Sequence, residues 1–316
     1  MTVLACDAGG TRIKLGVVRD GRLIATEMIP ADSHLGLAPA LPRMRDALLA
    51  MCRRAGVEIA SCLGLGIGFP ALVNSREGRV INAYGKYHDA PAVDLRAWAR
   101  ATFNLPLAID NDARVALLGE WRYGAGRGSD NLAILTLGTG IGTAVILDGR
   151  VLRGPHFQAG NLCGHLIVTE HGSRCTCGVD GCVEAETGSA SLAARARRLP
   201  GYASSPLAGQ DPLAYSAVCA CAARGDPVAT ALLERAVRLW SVLCVNMIHA
   251  FDLDRIVIGG GVVANAGQVL EPIRAFVARH ANTPWGRVEI VPAEQPDFMA
   301  LLGCEVLVQQ SNEGSR

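Results

Sequence analysis

The chain has 316 residues, half of them hydrophobic, and a formal net charge of +1 at pH 7. That length is typical of two domains of ordinary size, and the balanced charge leaves no electrostatic footprint for nucleic acid or an anionic membrane. The sequence contains neither an uncharged apolar stretch of about 18 residues nor a basic, apolar leader, so we expect no membrane span and no signal peptide. Eleven cysteines without such a leader indicate a reducing compartment, and we expect a cytoplasmic protein.

The predicted elements alternate between strands and helices. Residues 2–29 predict three strands, joined by a glycine turn and an Asp-Gly hairpin turn. The rest of the first half predicts a helix at about 38–55, a strand at 62–68, a helix after Asp94, a strand at 105–110 and a helix from Ala113 to about Tyr123. The second half predicts a hairpin at 131–153, helices at 189–198, 227–250, 266–280 and 299–310, and strands at 255–261 and 288–292. Such alternation predicts an α/β fold.

The two hairpins are copies of each other. At an offset of 128 residues, nine of about twenty aligned positions are identical, including Gly10-Thr11 with Gly138-Thr139. This duplication predicts two domains of like topology. We place the first at residues 1–111, joined by a C-terminal helix over 299–316, and the second at 112–298.

A loop over residues 161–184 has the composition of a zinc site. His165, Cys175, Cys177 and Cys182 follow the spacing His-x9-Cys-x-Cys-x4-Cys. Thiolates and imidazole are the ligands that Zn²⁺ prefers, and four of them close a tetrahedral structural site. The alternative is four ordinary buried residues that are close in sequence.

Three glycine turns follow predicted strands, at residues 9–11, 138–142 and 259–261. Glycine lets a backbone approach a phosphate closely and direct N–H groups at it. One such turn is weak evidence, but two in duplicated hairpins and a third before a helix favour a nucleotide bound between two domains. No Gly-Lys-Ser/Thr is present, so the turns do not form a Walker loop.

Two carboxylates stand at predicted strand ends. Asp7 aligns with Leu135 in the repeat, so only the first copy has a carboxylate at this position. The Asp7 carboxylate could orient Mg²⁺-bound water, or Asp7 could simply form a turn. Asp112 starts a predicted helix, where it could be the N-cap or a general base for phosphoryl transfer. The sequence leaves both alternatives open.

The segments DAGGT, NDARVALLGE, LGTGIG, GH and CTCGVDGCVE occur in this order over nearly the whole chain. Together they resemble the ROK family of sugar kinases and sugar-responsive repressors. The resemblance implies a two-domain, actin-like and hexokinase-like ATPase fold that binds a sugar and Mg²⁺–ATP in a cleft, with a structural zinc ion. A homodimer is also implied.

The resemblance also implies roles for single residues. Asp112 would be the catalytic base, while His165 would bind zinc through one ring nitrogen and a sugar hydroxyl through the other. Further sugar ligands would be Asn111 and Glu184. The phosphate-binding and nucleotide-binding residues would be Asp7, Gly9, Gly10, Thr11, Lys14, Gly138, Thr139, Gly140, Gly260 and Gly261.

One departure concerns the sugar. Family members usually read Gly-Glu-x-Gly-His before the zinc cysteines, whereas Leu162 stands here where that sugar-binding Glu would be. Leucine accepts no hydrogen bond, so the sugar is not specified by the resemblance. Asn161 could compensate from the preceding position. In the polar segment 82–89, Lys86 or His88 could contact substrate or remain solvated.

The sequence therefore predicts an ATP-dependent kinase acting on a hexose or a hexose derivative. A sugar-sensing regulator of the same fold is a second hypothesis, without direct DNA binding because the first strand begins at residue 2. A sugar-independent actin-like ATPase is a third, and the predicted sugar ligands near the zinc loop argue against it.

Overall fold

The computed structural model describes residues 1–83, 85–262, 266–295 and 297–313. The strands are β1 (Thr2–Ala8), β2 (Arg12–Arg19), β3 (Arg22–Pro30), β4 (Cys62–Phe69), β5 (Leu72–Asn74), β6 (Arg79–Asn82), β7 (Leu107–Asn111), β8 (Leu132–Leu137), β9 (Ile141–Leu147), β10 (Arg150–Val151), β11 (Arg255–Gly259) and β12 (Glu289–Pro292). The helices are α1 (Ala40–Arg54), α2 (Leu95–Phe103), α3 (Asp112–Tyr123), α4 (Val183–Thr187), α5 (Leu192–Ala196), α6 (Tyr215–Ala222), α7 (Pro227–Phe251), α8 (Ala266–His280) and α9 (Met299–Glu313). The predicted α/β fold is confirmed.

The chain divides into two compact units. Unit 1 comprises Met1–Gly128, Val151–Asn161 and Glu294–Arg316, and unit 2 comprises Ser129–Arg150 and Leu162–Ala293. The sequence placed the boundary between residues 111 and 112, whereas this division places α3 in unit 1. The physical reason is that α3 packs against α9 and the strands of the first sheet. The predicted final helix ends at Glu313, and residues 314–316 of that prediction lie outside the described residues.

Unit 1 is built on a five-stranded sheet in the order β3-β2-β1-β4-β7. β1 to β3 pair antiparallel, and β4 and β7 add parallel to the β1 side. The central strand β1 is almost entirely buried, which explains its apolar composition, whereas the edge strand β3 alternates between half-buried and exposed residues. Helix α1 packs on β2 and β3, and α9 packs on β1, β2, β4 and β7.

Unit 2 contains a second five-stranded sheet, in the order β10-β9-β8-β11-β12. β8 and β9 pair antiparallel, and β11 and β12 continue parallel to β8. The strand order matches that of the first sheet, and so do the directions of β8, β9, β11 and β12. The two like topologies predicted from the sequence repeat are therefore present.

Helix α3 and helix α9 are in backbone contact. A Cβ on Gly303 would lie 1.8 Å from the carbonyl oxygen of Val115, and a Cβ on Gly119 would lie 2.1 Å from that of Met299. Any side chain at either glycine would overlap the facing helix. This close crossing fixes α3, and with it the first residue of that helix, Asp112.

No helix in the described parts of the chain combines the length and the apolar character that a membrane crossing requires.

Candidate active site

Asp7 lies at the carboxyl end of the central strand of unit 1. Its register partner across the β1–β2 pair is Lys14, whose Nζ is 3.9 Å from Oδ2 of Asp7. Burial raises the pKa of Asp7, and the Lys14 charge acts in the opposite direction. Nζ of Lys14 is also 3.3 Å from Oδ1 of Asp297.

Asn111, not Asp112, caps α3. Oδ1 of Asn111 accepts hydrogen bonds from the backbone N–H groups of Ala113, at 2.9 Å, and Arg114, at 3.4 Å. The sequence could not distinguish two adjacent residues that are both good N-caps. Because Asn111 supplies the cap, the Asp112 carboxylate is not required for that purpose.

The Asp112 carboxylate is in a setting that perturbs its acidity. Burial raises its pKa to about 6, and the negative charge of Asp7 contributes in the same direction. The N–H of Ala113, 2.8 Å from Oδ1 of Asp112, and the ammonium of Lys86 act in the opposite direction. The side chain is nevertheless partly exposed to solvent. A carboxylate with these properties can accept a proton near neutral pH.

The glycine turn after β1 is held by two residues that the sequence analysis missed. The hydroxyl of Tyr87 donates a hydrogen bond to the carbonyl of Gly9 at 2.8 Å, and the hydroxyl of Ser33 donates to the carbonyl of Gly10 at 2.6 Å. Tyr87 is fully buried and has a positive φ of 51°. With both carbonyls occupied, the turn has a fixed conformation, and Thr11 next to it is exposed.

Asp110 anchors a buried ion network below the start of α3. Its Oδ1 is 3.2 Å from Nη1 of Arg114, its Oδ2 is 2.8 Å from Nε of Arg153, and both Asp110 and Arg114 are fully buried. Nη2 of Arg114 also donates to the carbonyl groups of Phe157 and Ala159. The network therefore ties residues 153–159 to the strand end that carries Asn111.

Asn161 lies at the end of that tied segment. Its Nδ2 donates to Oδ1 of Asn111 at 2.8 Å, and Nδ2 of Asn111 donates to the carbonyl of Ala71 at 3.2 Å. Both side chains are buried. The structure brings these two predicted sugar ligands together. The second N–H of the Asn111 amide can donate a hydrogen bond to a ligand.

The four predicted zinc ligands form one cluster in unit 2. The ligand atoms of His165, Cys175, Cys177 and Cys182 lie within 4.8 Å of one another. Nδ1 of His165 is 3.8 Å from Sγ of Cys175 and 3.9 Å from Sγ of Cys182. Tetrahedral zinc, with bonds of about 2.3 Å to sulfur and about 2.0 Å to nitrogen, places ligand atoms roughly 3.5–3.8 Å apart. The cluster therefore fits a metal ion with the donor preference of zinc, and it leaves Nε2 of His165 outside the cluster.

The metal cluster leads directly to Glu184. Sγ of Cys182 caps α4 by accepting a hydrogen bond from the N–H of Ala185, and Glu184 lies in the first turn of that helix. Oε2 of Glu184 accepts a hydrogen bond from the N–H of Ile141 at 2.8 Å. A metal bound to Cys182 would thus fix the position of Glu184 against the second glycine turn.

The second and third glycine turns are neighbours in unit 2. The carbonyls of Gly138 and Thr139 accept hydrogen bonds from the N–H groups of Ser189 and Ala190. A Cβ on Gly140 would lie 2.3 Å from Oε2 of Glu184. Gly260 has a φ of 91°, and a Cβ there would lie 2.2 Å from the carbonyl of Leu137, so Gly260 packs against the end of β8. Gly261 follows it and is exposed.

The predicted site residues therefore form two groups. Unit 1 carries the carboxylates, both lysines of the site, the first glycine turn, Asn111 and Asn161. Unit 2 carries the metal cluster, Glu184 and the other two glycine turns, and its second segment begins at Leu162.

Comparison with known proteins identifies the family. A model described as "ROK family" matches residues 3–311. The chain belongs to the ROK family. A glucokinase from Thermotoga maritima is 29% identical over 320 residues, which cover 98% of each protein.

Two solved structures of the family resemble this chain closely. The ROK hexokinase from Thermus thermophilus has a TM-score of 0.80 and 29% identity, covering 99% of this chain and 100% of that one. The ROK glucokinase from Streptomyces griseus, in complex with glucose and AMPPNP, has a TM-score of 0.79 and 27% identity, covering 98% and 100%. The predicted hexokinase-like fold is confirmed.

Proposed function

We propose that this protein is an ATP-dependent sugar kinase, which transfers the γ-phosphate of ATP to a hydroxyl of a hexose or a hexose derivative. The observation that carries the proposal is the carboxylate of Asp112. It is partly exposed, is not needed as a helix cap, and has a pKa raised to about 6 beside Asp7 and the first glycine turn. Membership of a family with relatives named glucokinase and beta-glucoside kinase supports the choice of acceptor.

Asp112 is the general base in this proposal. The acceptor hydroxyl attacks the γ-phosphorus, and its proton passes to the Asp112 carboxylate as the new oxygen–phosphorus bond forms. The bond between the γ-phosphorus and the bridging oxygen breaks, and its electron pair leaves with ADP. A helix N-terminus and a charge-dense site stabilise such a transition state mainly by position and electrostatics.

The nucleotide is assigned to the three glycine turns. Backbone N–H groups at Gly10, Thr11, Thr139 and Gly140 bind phosphate. Gly9, whose N–H donates to the carbonyl of Asp7 at 3.1 Å, forms the turn that presents them in unit 1. Gly260 and Gly261 contact the adenosine. Magnesium enters as Mg²⁺–ATP, and the Asp7 carboxylate would hold a water of that ion, where the charge of the metal neutralises the phosphate.

Three residues are assigned as direct sugar ligands. Asn111 offers its remaining amide N–H, Glu184 its second carboxylate oxygen, and His165 its Nε2. Asn161 acts by holding the Asn111 amide, because its own Nδ2 already donates to that group. Leu162 supplies no hydrogen bond, so this pocket makes fewer polar contacts with the acceptor than the usual family pattern allows.

The metal is proposed to be a structural zinc ion, supported by the Cys₃His donor set and its spacing. Within the described parts of the chain no disulfide joins any of the eleven cysteines, which supports the proposed cytoplasmic location. A homodimer stays a prediction from the family resemblance.

The test is a panel of hexoses, hexosamines and N-acetylhexosamines with Mg²⁺–ATP, read by ADP release. We expect at least one sugar to stimulate release in the wild type and not in Asp112→Asn. Release that no sugar stimulates would instead support the actin-like ATPase, and a bound sugar without any ADP release would support the sugar sensor.

A further inference from the structure

Lysine is almost absent from this chain. Of its 30 basic residues, 28 are arginine, and the only lysines are Lys14 and Lys86. They lie 72 residues apart in sequence, yet both come to the glycine turn after β1 in unit 1. An ammonium is a compact point charge with freely rotating donors, whereas a guanidinium is a broad planar fork, so the two are not interchangeable.

Lys86 lies directly over the glycine turn. A Cβ on Gly10 would lie 2.6 Å from Cε and 2.9 Å from Nζ of Lys86, so the end of the lysine side chain packs closely on the turn at this position. The next residue, Tyr87, is fully buried and hydrogen-bonded to the carbonyl of Gly9. The backbone that carries Lys86 is thus attached to the same turn that its side chain covers.

The two lysines differ in their partners. Lys14 is next to Asp7 and Asp297, at 3.9 Å and 3.3 Å from a carboxylate oxygen. Within the described parts of the chain, Nζ of Lys86 has no carboxylate oxygen within 4.0 Å, although it is close enough to Asp112 to influence that carboxylate electrostatically. Lys86 is half-buried, and within the described residues its ammonium lies at the turn without direct contact to a carboxylate oxygen.

We propose that Lys86 is a further catalytic residue, whose ammonium binds the transferring phosphoryl group above Gly10 beside the base Asp112. The proposal rests on the proposed kinase function. As charge builds on the equatorial oxygens of the phosphoryl group, a preorganised cation at this point stabilises the transition state. Lys86 gives up no proton in the step, since the acceptor proton goes to Asp112 and the electron pair leaves on ADP.

An alternative is that Lys86 binds a negatively charged acceptor. The contact with Gly10 favours the phosphoryl group, because the turn is the phosphate-binding element and the lysine side chain follows it. Steady-state kinetics distinguish the two alternatives. Loss of a residue that binds the transferring phosphoryl group lowers kcat, whereas loss of a residue that binds the acceptor raises the KM for the sugar.

The kinetic test compares the wild type, Lys86→Met and the control Arg45→Met with glucose and Mg²⁺–ATP. Arg45 is an exposed cation of α1 that pairs with its neighbour Asp46. We expect Lys86→Met to lower kcat by about ten- to a hundredfold, with the KM for glucose nearly unchanged and Arg45→Met like the wild type. A normal kcat, or a change confined to the KM for glucose, would overturn the proposal while leaving the kinase function intact.

A second test does not depend on turnover. Lys14, Lys86 and the N-terminal amine are the only amines, so limited acetylation with acetic anhydride can be followed at each by peptide mass spectrometry. We expect Mg²⁺–AMPPNP to protect Lys86 at least several-fold more than Mg²⁺–ADP, which lacks the γ-phosphate, with the N-terminal amine as internal reference. Equal protection by both nucleotides, or by neither, would overturn the contact, even for a protein that phosphorylates no sugar in the panel.

Discussion

The acidity of Asp112 should set the acid limb of the pH–rate profile. The base must be ionised in the free enzyme, so kcat/KM for sugar and ATP falls as pH drops through the pKa of about 6. At pH 5 we expect about one-tenth of the activity at pH 8, since about one-tenth of a group with that pKa is ionised there. An Asp at its ordinary value of about 3.9 would remain over nine-tenths ionised at pH 5.

Two variants, each of which replaces a charged side chain by an uncharged one, should move the acid limb of the pH–rate profile in opposite directions. The charged groups that act on Asp112 are Asp7 and Lys86, and Lys14 in turn faces Asp7. Removing the negative charge with Asp7→Asn lowers the pKa of Asp112, so the limb moves to lower pH. Removing the ammonium with Lys86→Met raises that pKa, so the limb moves to higher pH.

The assay is ADP release with a coupling system shown not to limit the rate at each pH, on protein whose circular dichroism is unchanged over the range. Residual activity of each variant is enough, because the position of the limb is measured and not its height. A flat profile down to pH 5, or the same direction of movement in both variants, would refute the assignment of Asp112 as the base.

Three further predictions follow from other parts of the structure. Asp112→Asn should be inactive, yet its free energy of unfolding in urea at pH 7 should be higher than that of the wild type by about 1–2 kcal/mol. The pKa of Asp112 is higher in the folded than in the unfolded protein, so the wild type loses stability as the pH rises from about 4 to 6, and the uncharged Asn avoids this loss. A pKa difference of two units is worth roughly 3 kcal/mol, and solvent screening of the partly exposed side chain makes the gain smaller. A smaller or opposite change would contradict the raised pKa. Cys177→Ser should purify with less than one equivalent of zinc by metal analysis, whereas Cys52→Ala, outside the cluster, should retain a full equivalent; equal zinc in both would exclude the cluster. Gly119→Ala should lower the free energy of unfolding by about 1–3 kcal/mol through overlap with α9, while Gly267→Ala, at an uncrowded site in α8, should be neutral or slightly stabilising, and equal effects would argue against the close crossing.

Local sequence was sufficient for the metal cluster and for the sheets. The four ligands fall within 18 residues, so their spacing alone brings them together. The repeated hairpins predicted the antiparallel part of each sheet because adjacent antiparallel strands need only a short turn, whereas the places of the parallel strands were not predicted. The boundary between the units was not accessible in this way, since it depends on α9 packing against α3 from the far end of the chain.

The environment of the proposed base required the fold. Asn111 and Asp112 are both good capping residues, and only the backbone geometry identifies which side chain points back at the helix. Ser33 and Tyr87 were missed because they reach the first glycine turn across 23 and 78 residues, from irregular segments without periodicity. For Lys86 the sequence left open whether the side chain contacts substrate or is solvated. Its position over Gly10 depends on the long-range hydrogen bond of the next residue, Tyr87, to Gly9.

The packing of α9 also determines the order in which the protein can be completed during synthesis. Unit 2 ends at Ala293, whereas unit 1, which opens the chain, still lacks the helix that packs on β1 and α3. At elongation rates of about 5–20 residues per second, the ribosome adds α9 on the order of ten to forty seconds after it has made residue 128. Until then the surface of β1 and α3 that α9 covers stays exposed, although α1 and α3 already pack on other parts of the sheet, so we expect the amino-terminal half of the nascent chain to need shielding at that surface. The proposed base is thus placed in its final position only when the last helix has been synthesised.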